Sequence, residues 1–417
     1  MARRTDDRGP PHGELPGNRR CVPGRERPPP RRGEGRTRGP VGAVRRGSVR
    51  LPGDRPAREG SARDVPRRLG GERGRRPVGA LGPRGGKVIL GAAARVRRAL
   101  YSAGIFPADR LPRPVVSVGN LVMGGAGKTP HVIHLSRWLG GQGRRVGVLS
   151  RGYGRKSRGV LWVSDGEGTI VPPLVGGDEP VLIARSLPGV PVVVGESRAA
   201  AGREILSRRA VDVFLLDDGF QHLSLKRDVD LLLVECGRGL GNRRTAPLGP
   251  LREPPSHARY ADALVITKCP DGESGARAAR DVPFPEGRPR AFSRLSPRGI
   301  VGRDGRPMKG GGAGQEVFAF SGLARNAQFR DTLAAAGFRV KGFLSFPDHH
   351  AYGRGDLDRI AREAGEMPAI TTEKDLVRLP DDVPFAVGAL RVEVEYLGGW
   401  EEISRMILAR LDGGSRA

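Results

Sequence analysis

The sequence predicts an α/β fold with a doubly wound, mostly parallel sheet and a smaller α/β domain at its C-terminal end. Three observations predict it. Short apolar runs alternate with helix-like stretches, the runs are rich in β-branched residues, and a glycine-rich turn follows the first run. Runs that are apolar on both faces are typical of strands buried between two layers of helices. The six clearest runs cover residues 115–118, 146–149, 192–194, 211–216, 229–234 and 263–266.

Changes in composition divide the chain into four segments. Residues 1–85 are rich in Arg, Pro and Gly and nearly free of periodic apolar residues, so we expect a disordered extension there. A Gly-rich, irregular stretch over residues 298–314 predicts a linker, and a strand at 317–320 and a helix at 327–336 follow it. The segments are then 1–85, a helix within 86–106, a main domain over 107–310 and a smaller domain over 311–417.

The segment 86–106 has the pattern of a short basic amphipathic helix. Its apolar residues follow the spacing of one helical face, and three arginines lie off that face. Such a helix can lie in a membrane interface with its Arg head groups at the lipid phosphates, or it can pack on the core of the domain. The sequence alone leaves both readings open. The apolar positions are Ile89, Ala93, Val96 and Leu100, and the arginines are Arg95, Arg97 and Arg98.

The net charge of +27 is unevenly distributed. Residues 1–85 hold 23 Arg, no Lys and 9 acidic residues, so they carry +14 and leave +13 for residues 86–417. A moderately basic body suits an anionic lipid surface, a phosphorylated substrate or a nucleic acid.

Three cysteines without ligand spacing indicate a reducing compartment rather than disulfides or a structural zinc. No apolar run of membrane-spanning length and no signal peptide is found, so we expect a cytoplasmic protein, with a membrane face left open.

The glycine-rich turn predicts a nucleotide site. The run 115–118 leads into GGAGKT at 124–129, and a helical pattern follows over 131–139. In this strand–turn–helix context backbone N–H groups and the helix N-terminus surround a phosphate, a lysine reaches the β- and γ-phosphates, and a hydroxyl binds Mg²⁺. The strict motif has glycine where Val122 stands. We therefore expect a P-loop NTPase-like core that binds ATP and Mg²⁺ through Val122, Met123, Gly124, Gly125, Ala126, Gly127, Lys128 and Thr129.

A pair of acids supports this interpretation. An apolar run ends in Asp217 and Asp218, as expected of the strand that presents a carboxylate to the metal ion. Acid pairs at strand ends also cap turns without any function. Together with the glycine-rich turn they indicate a metal site, and either carboxylate could be the ligand.

Nine short motifs occur in an order that resembles one family. They are SVGNL (117–121), GGAGKTP (124–130), SRGYGRK (150–156), GDEP (177–180), DDGFQH (217–222), PLGPLREP (247–254), FSGLA (320–324), FPDHH (346–350) and TTEKDLVRL (371–379). The combination is highly specific, and it resembles the tetraacyldisaccharide 4′-kinase family of lipid A biosynthesis. The resemblance covers residues 86–410, and residues 1–85 have no counterpart in it.

The resemblance implies an ATP-dependent kinase that phosphorylates the 4′-hydroxyl of a tetraacyldisaccharide 1-phosphate to form lipid IVA. It implies the cytoplasmic face of the inner membrane, a lipid disaccharide as partner, no nucleic acid and no obligate protein partner. Two other classes remain in view. A P-loop ATPase switch usually has a Lys where this chain has Met123. A nucleic-acid binder would interleave aromatic and basic residues, but only 5% of the chain is aromatic.

The resemblance also implies roles for the site residues. Asp178 looks like the catalytic base, although an Asp before a proline-started helix is also an ordinary N-cap. His349 resembles the histidine that partners this Asp across a cleft, with His350 as the competing candidate. Arg198 could neutralise phosphate charge as an internal arginine finger. Gln221 and His222 are expected near the nucleotide, and the implied substrate contacts are Arg151, Tyr153, Asn120, Arg252 and Glu253.

Overall fold

A twelve-stranded, mostly parallel sheet runs through the part of the chain that the structure describes. The computed structural model describes residues 89–168, 170–308, 314–323 and 325–413. The extension predicted over residues 1–85 lies outside them. The strands are β1 (Val115–Asn120), β2 (Val146–Ser150), β3 (Leu161–Ser164), β4 (Val192–Val194), β5 (Val213–Asp217), β6 (Val229–Glu235), β7 (Ala263–Thr267), β8 (Arg290–Val301), β9 (Glu316–Ser321), β10 (Arg339–Ser345), β11 (Ala369–Thr372) and β12 (Val387–Gly398).

The order of the strands is β10-β9-β11-β12-β8-β7-β6-β1-β5-β2-β4-β3. Neighbouring strands run parallel except at the β12–β8 and β3–β4 pairs. The helices are α1 (Ile89–Ser102), α2 (Lys128–Gly141), α3 (Pro173–Gly176), α4 (Asp178–Ser186), α5 (Arg198–Arg208), α6 (Gly272–Arg280), α7 (Asn326–Ala335), α8 (Arg354–Ala364), α9 (Glu373–Arg378) and α10 (Trp400–Gly413), with a 3₁₀ helix at Pro255–Tyr260.

Helices cover both faces of the sheet around β1. Val116 and Val118 of β1 pack with α2, α4 and α10, whereas Val115 packs with α5 on the opposite face. Alternate side chains of one strand therefore enter two hydrophobic cores, which explains why the strands read as continuous apolar runs. The α/β class and the mostly parallel sheet are confirmed.

The six predicted strands are present, and five of them extend to a polar residue at the carboxyl end. The apolar pattern stops one or two positions early because the last residue of each strand lies at the edge of the sheet. In an open α/β sheet this edge is where ligands bind. The polar residues are Asn120, Ser150, Asp217, Glu235 and Thr267.

The predicted linker over residues 298–314 is wrong at its start. Residues 298–301 belong to β8, which pairs with β12 along most of its length. Pro297 lies at a register shift in this pairing, where a missing N–H is tolerated. Residues 309–313 lie outside the described residues. Strand β8 precedes residue 310 and strand β12 follows it, yet the two strands pair in one sheet. The division into two domains near residue 310 stays a prediction.

The helix predicted within 86–106 is present as α1, but a residue off the predicted face is buried and one on that face is exposed. Arg98 is 4% exposed, whereas Val96 is 58% exposed. The Arg98 guanidinium donates to Phe220 O at 3.1 Å and to Glu253 Oε2 at 2.9 Å, and it lies over the rings of Phe220 and Tyr260. A guanidinium can be buried in this way because an acid and two aromatic faces replace its water. In the described part of the chain no helix has the length and apolar content that crossing a membrane requires.

Candidate active site

The glycine-rich turn is held with its carbonyl groups facing the protein. Five of its carbonyl oxygens accept hydrogen bonds from side chains of other elements, which leaves the remaining N–H groups of the turn for an anion. The bonds are Asn120 Nδ2 to Val122 O (2.6 Å) and Gly124 O (3.4 Å), Arg238 Nη1 to Met123 O (2.8 Å), Thr267 Oγ1 to Ala126 O (2.9 Å) and His131 Nδ1 to Gly127 O (2.8 Å).

The backbone of the turn explains both its glycines and its one departure from the strict motif. Gly124 and Gly127 have φ of 108° and 81°, a region that side chains disfavour. Val122 instead packs among Leu121, Phe220 and other core residues, so a valine anchors the start of the turn. Helix α2 begins at Lys128, and its N-terminus faces the turn.

Lys128 links the turn to the acid pair. Its Nζ lies 3.3 Å from Asn120 Oδ1 and 3.5 Å from Asp218 Oδ1. Arg252 donates to Asp218 Oδ2 at 2.7 Å, and its Nη1 lies 3.4 Å from Gln221 Oε1. Burial alone would raise the pKa of Asp218, but Lys128 and Arg252 outweigh it and hold that pKa below its ordinary value. Asp218 is therefore an ionised carboxylate between two cations.

Asp217 lies in a different environment. It is buried at the end of β5, and Ser150 Oγ donates to its Oδ2 at 3.0 Å. Burial, together with the nearby charges of Glu179 and Asp218, raises the pKa of Asp217 to about 7. Its Oδ1 is buried without a hydrogen-bond partner in the described part of the protein. An ionised carboxylate in this place requires a cation.

Mg²⁺ fits this set of donors. The orphaned Oδ1 of Asp217, the second carboxylate of Asp218 and the hydroxyl of Thr129 at the start of α2 are hard oxygen donors, the type that Mg²⁺ prefers. These are the residues that the sequence predicts as ligands.

Arg198 begins helix α5 beside these acids. Its guanidinium is nearly buried, and burial followed by the charge of Arg151 lowers its pKa to about 10, so it stays protonated at neutral pH. Its Nε is buried without a partner among the described residues. Burial and the charge of Arg198 also lower the pKa of His222 to about 3, so this imidazole is neutral. A cation with an unused donor is suited to binding phosphate.

Asp178 and His349 come together although 170 residues separate them in the chain. Asp178 is the first residue of α4, and His349 follows β10 with φ of 60°. Asp178 Oδ2 and His349 Nδ1 are 3.5 Å apart. The N-cap of α4 is Gly177, and no side chain caps the helix, so the capping alternative for Asp178 is wrong.

Two cations of α9 surround this pair. Arg378 Nε donates to Asp178 Oδ2 at 2.6 Å, and its Nη2 lies 3.0 Å from His349 Nδ1. Lys374 Nζ donates to Glu179 Oε1 at 3.1 Å and lies 3.3 Å from His349 Nε2. Acids at the first turn of α4 are thus joined to cations one turn apart on α9.

A cleft of about 2120 Å³ is lined by most of the predicted groups, and Glu179, next to Asp178, lines it from the first turn of α4. Its lining includes the glycine-rich turn, the acid pair, Arg198, Arg151 and Tyr153, as well as His349 and Lys374. Tyr153 is 75% exposed and its ring lies 6.1 Å from that of His349. The space is large enough for a nucleotide and part of a second substrate.

The model of one protein family, described as tetraacyldisaccharide-1-P 4′-kinase, matches residues 87–412. The chain belongs to this family. Among its relatives, the tetraacyldisaccharide 4′-kinase of Anaeromyxobacter dehalogenans (strain 2CP-C) is 42% identical over 344 residues, which cover 78% of this chain and 89% of that protein. The same enzyme of Syntrophus aciditrophicus is 41% identical, over 72% of this chain and 84% of that protein.

A solved structure shares the fold. The crystal structure of LpxK from Aquifex aeolicus in complex with ATP matches with a TM-score of 0.65 and 36% identity, over 78% of this chain and 97% of that chain. The predicted activity is confirmed: the chain is a tetraacyldisaccharide 4′-kinase of lipid A biosynthesis.

Two residues that were predicted to contact the substrate are buried in the structure. Asn120 is fully buried, and its amide supports the glycine-rich turn and Lys128. Glu253 is also buried, where it accepts hydrogen bonds from Arg98 and His257. The polar atoms of both side chains bond internal partners, so contact of Asn120 and Glu253 with the substrate stays a prediction. Arg151 and Tyr153 are exposed at the cleft, and Arg252 lines it from the side of the acid pair.

The structure also brings residues to this site for which the sequence predicted no role. Arg378 and Lys374 lie in the motif TTEKDLVRL, and Glu179 lies in GDEP. The spacing of four residues between the two cations placed them on one face of a short helix. The spacing of Lys374 and Arg378 was visible in the sequence. Their acidic partners lie about 200 residues away in the chain, so the ion pairs could not be predicted.

Proposed function

We propose that Asp178 is the general base when this kinase transfers the γ-phosphate of ATP to the 4′-hydroxyl of tetraacyldisaccharide 1-phosphate. The observation that carries this proposal is the meeting of Asp178 and His349 beside the cleft that contains the glycine-rich turn. Asp178 accepts the hydroxyl proton, the hydroxyl oxygen bonds to the γ-phosphorus, and the bond to the β-phosphate oxygen breaks. The electron pair of that bond leaves on ADP.

Lys128, Arg198 and the N-terminus of α2 neutralise the phosphate charge. Phosphoryl transfer depends mainly on positioning and on charge stabilisation, so three fixed positive groups around one turn suit it. Arg198 is suited to this role because its Nε is buried and unpartnered in the described protein. Gln221 supports the site indirectly: its Nε2 donates to Asn120 O at 2.9 Å, next to the turn.

Thr129, Asp217 and Asp218 would hold Mg²⁺. When bound, the ion neutralises charge on the β- and γ-phosphates. Asp217 must be ionised to bind it, and a nearby cation stabilises that form. Ser150 keeps the Asp217 carboxylate oriented through its Oδ2.

The acceptor sugar is proposed to lie at the open side of the cleft. Tyr153 is exposed next to His349 and can stack on a sugar ring, while Arg151 and Arg252 can bind hydroxyl or phosphate oxygens. Helix α1 then serves as the contact with the cytoplasmic face of the inner membrane. Val96 and, just after the helix, Ile105 and Phe106 are exposed apolar side chains.

Substitution of Asp178 tests the proposal. Asp178→Asn keeps the shape of the side chain but cannot take a proton, so we expect kcat to fall on the order of 100-fold while ATP affinity changes little. Lys128→Ala should abolish ATP binding and transfer together. Asp358→Asn, which changes an exposed acid of α8 that does not line the cleft, is the control and should keep both kcat and ATP affinity. Full activity of Asp178→Asn, or loss of its ATP affinity, would rule out the role of base.

A further inference from the structure

We propose that Arg378 is the positioning residue that orients Asp178 and His349 for the transfer. The inference rests on the proposed role of Asp178 as the base. A direct hydrogen bond between the His349 imidazole and the Asp178 carboxylate could orient the base. We assign this orienting function to Arg378 instead.

The contacts of Arg378 show why a direct bond between Asp178 and His349 is not made. Asp178 Oδ2 and His349 Nδ1 are 3.5 Å apart, beyond an ordinary hydrogen bond. Each of them lies closer to the guanidinium, at 2.6 Å and 3.0 Å. Because a guanidinium can only donate, both atoms accept hydrogen bonds from it. Arg378 therefore bridges two groups that do not bond each other.

The guanidinium of Arg378 is also held by Asp375 and by the backbone of Gly322. Its Nη1 donates to Asp375 Oδ1 at 3.0 Å and to Gly322 O at 3.3 Å, and its side chain is 4% exposed. Asp375 is fully buried and also accepts from Gly322 N and Thr372 Oγ1. All three nitrogens of Arg378 are thus used, and the planar group can take only one orientation.

This arrangement leaves one oxygen of Asp178 for chemistry. Arg378 and His349 both approach Oδ2, and within the described ranges no donor bonds to Oδ1. An anchored carboxylate with one free oxygen presents a defined lone pair to a hydroxyl group. A lysine at position 378 could not reproduce it, because an ammonium group has no fixed fork of donors.

The test is chemical rescue of an arginine variant. Arg378→Ala should lower kcat about 100-fold, with the KM for ATP nearly unchanged, because the base is misplaced but the glycine-rich turn is intact. Millimolar guanidinium should restore at least a tenth of the lost activity by filling the vacated, largely buried site. Arg378→Lys, which keeps the charge and supports folding, should stay impaired.

Two comparisons make the result specific. Arg391→Ala removes another ion pair of α9, with Glu373 at 3.2 Å, and should keep kcat within a few-fold. Arg378→Ala combined with Asp178→Asn should be no slower than Asp178→Asn alone, since both changes act on one step. The proposal is overturned if Arg378→Ala resembles Arg391→Ala, if guanidinium restores nothing, or if the two defects multiply. Full activity of Asp178→Asn alone would instead contradict the role of Asp178.

Discussion

His349 and His350 are adjacent in the chain but have different surroundings. His350 Nε2 bonds Asp356 Oδ2 at 2.9 Å, and its ring stacks on Phe346 at 4.8 Å. His349 instead has φ of 60° and turns toward Arg378, Lys374 and Tyr153. Strained backbone at a non-glycine residue is common at functional sites, where neighbouring contacts hold it. The surroundings favour His349 as the active-site residue and a structural role for His350.

Separate substitutions of the two histidines should therefore have different effects. We expect His349→Ala to lower kcat on the order of 100-fold with little change in melting temperature. His350→Ala should lower the melting temperature, because it removes a stacked, hydrogen-bonded side chain, and leave kcat within a few-fold. Steady-state kinetics and thermal unfolding of both variants are the measurement. The opposite pattern would exchange the two roles.

Buried His131 makes the stability of the protein depend on pH. Its Nδ1 donates to Gly127 O, its Nε2 lies 3.1 Å from Ser293 Oγ, and burial lowers its pKa to about 4. The unfolded chain binds a proton near pH 6.5, so stability from the neutral imidazole is complete above that pH and is lost as the pH falls to 4. The loss is roughly 3 kcal/mol. Denaturant unfolding of the wild type and of His131→Asn between pH 7 and 4 measures it; parallel curves would contradict the assignment.

Residues within one local motif could be predicted, whereas those that act across the fold could not. Lys128 and Thr129 follow from a strand, a glycine-rich turn and a helix that are adjacent in the sequence. Asp217 and Asp218 follow from the apolar strand that leads directly into them. Arg378 could not be assigned, since its contact with Asp178 joins positions 200 residues apart. Burial also cannot be read from a motif, which is why Asn120 was expected to contact the substrate.

Helix α1 shows the same difference at the scale of an element. Its position and length follow from apolar spacing, but its orientation depends on Glu253 and on the rings of Phe220 and Tyr260. These partners turn Arg98 inward and leave Val96 outside. Val96 is therefore available for contact with a lipid surface.

Two exposed apolar residues test membrane contact. The double variant Val96→Glu and Ile105→Glu places acids on the exposed side of this region, so we expect binding to phosphatidylglycerol-containing vesicles to fall at least about tenfold. Val160→Glu changes a similarly exposed apolar residue outside α1 and should bind like the wild type. Co-sedimentation of the full chain with vesicles measures both. Equal binding of all three proteins would exclude this surface.

Strand β8 was not predicted from the sequence, and its last four residues were expected to belong to a linker. Continuous apolar runs identified the buried parallel strands, but β8 contains Arg, Ser, Pro and Gly and is only partly buried. Its strand conformation depends on antiparallel pairing with β12, about 100 residues later. A strand stabilised mainly by a distant partner has little local signal.

At the scale of the whole molecule, the active site lies between two parts of one sheet. The glycine-rich turn, the acid pair and Asp178 follow strands on one side of β8, whereas His349 and Arg378 follow β10 and β11 on the other. Helices α4 and α9 contact each other and carry the ion pairs that join the two parts. Movement of the parts would assemble or separate the base and its supports, the arrangement expected of an enzyme that closes on its substrates.

Transfer of labelled phosphate tests the central claim most directly. The purified full chain is incubated with γ-labelled ATP, Mg²⁺ and detergent-dispersed tetraacyldisaccharide 1-phosphate, and the lipid product is analysed. We expect the label at the 4′-position of the lipid, none with Lys128→Ala, and little release of phosphate without the acceptor. Hydrolysis of ATP that is independent of the lipid, or label at any other position, would contradict a 4′-kinase and favour an ATPase switch.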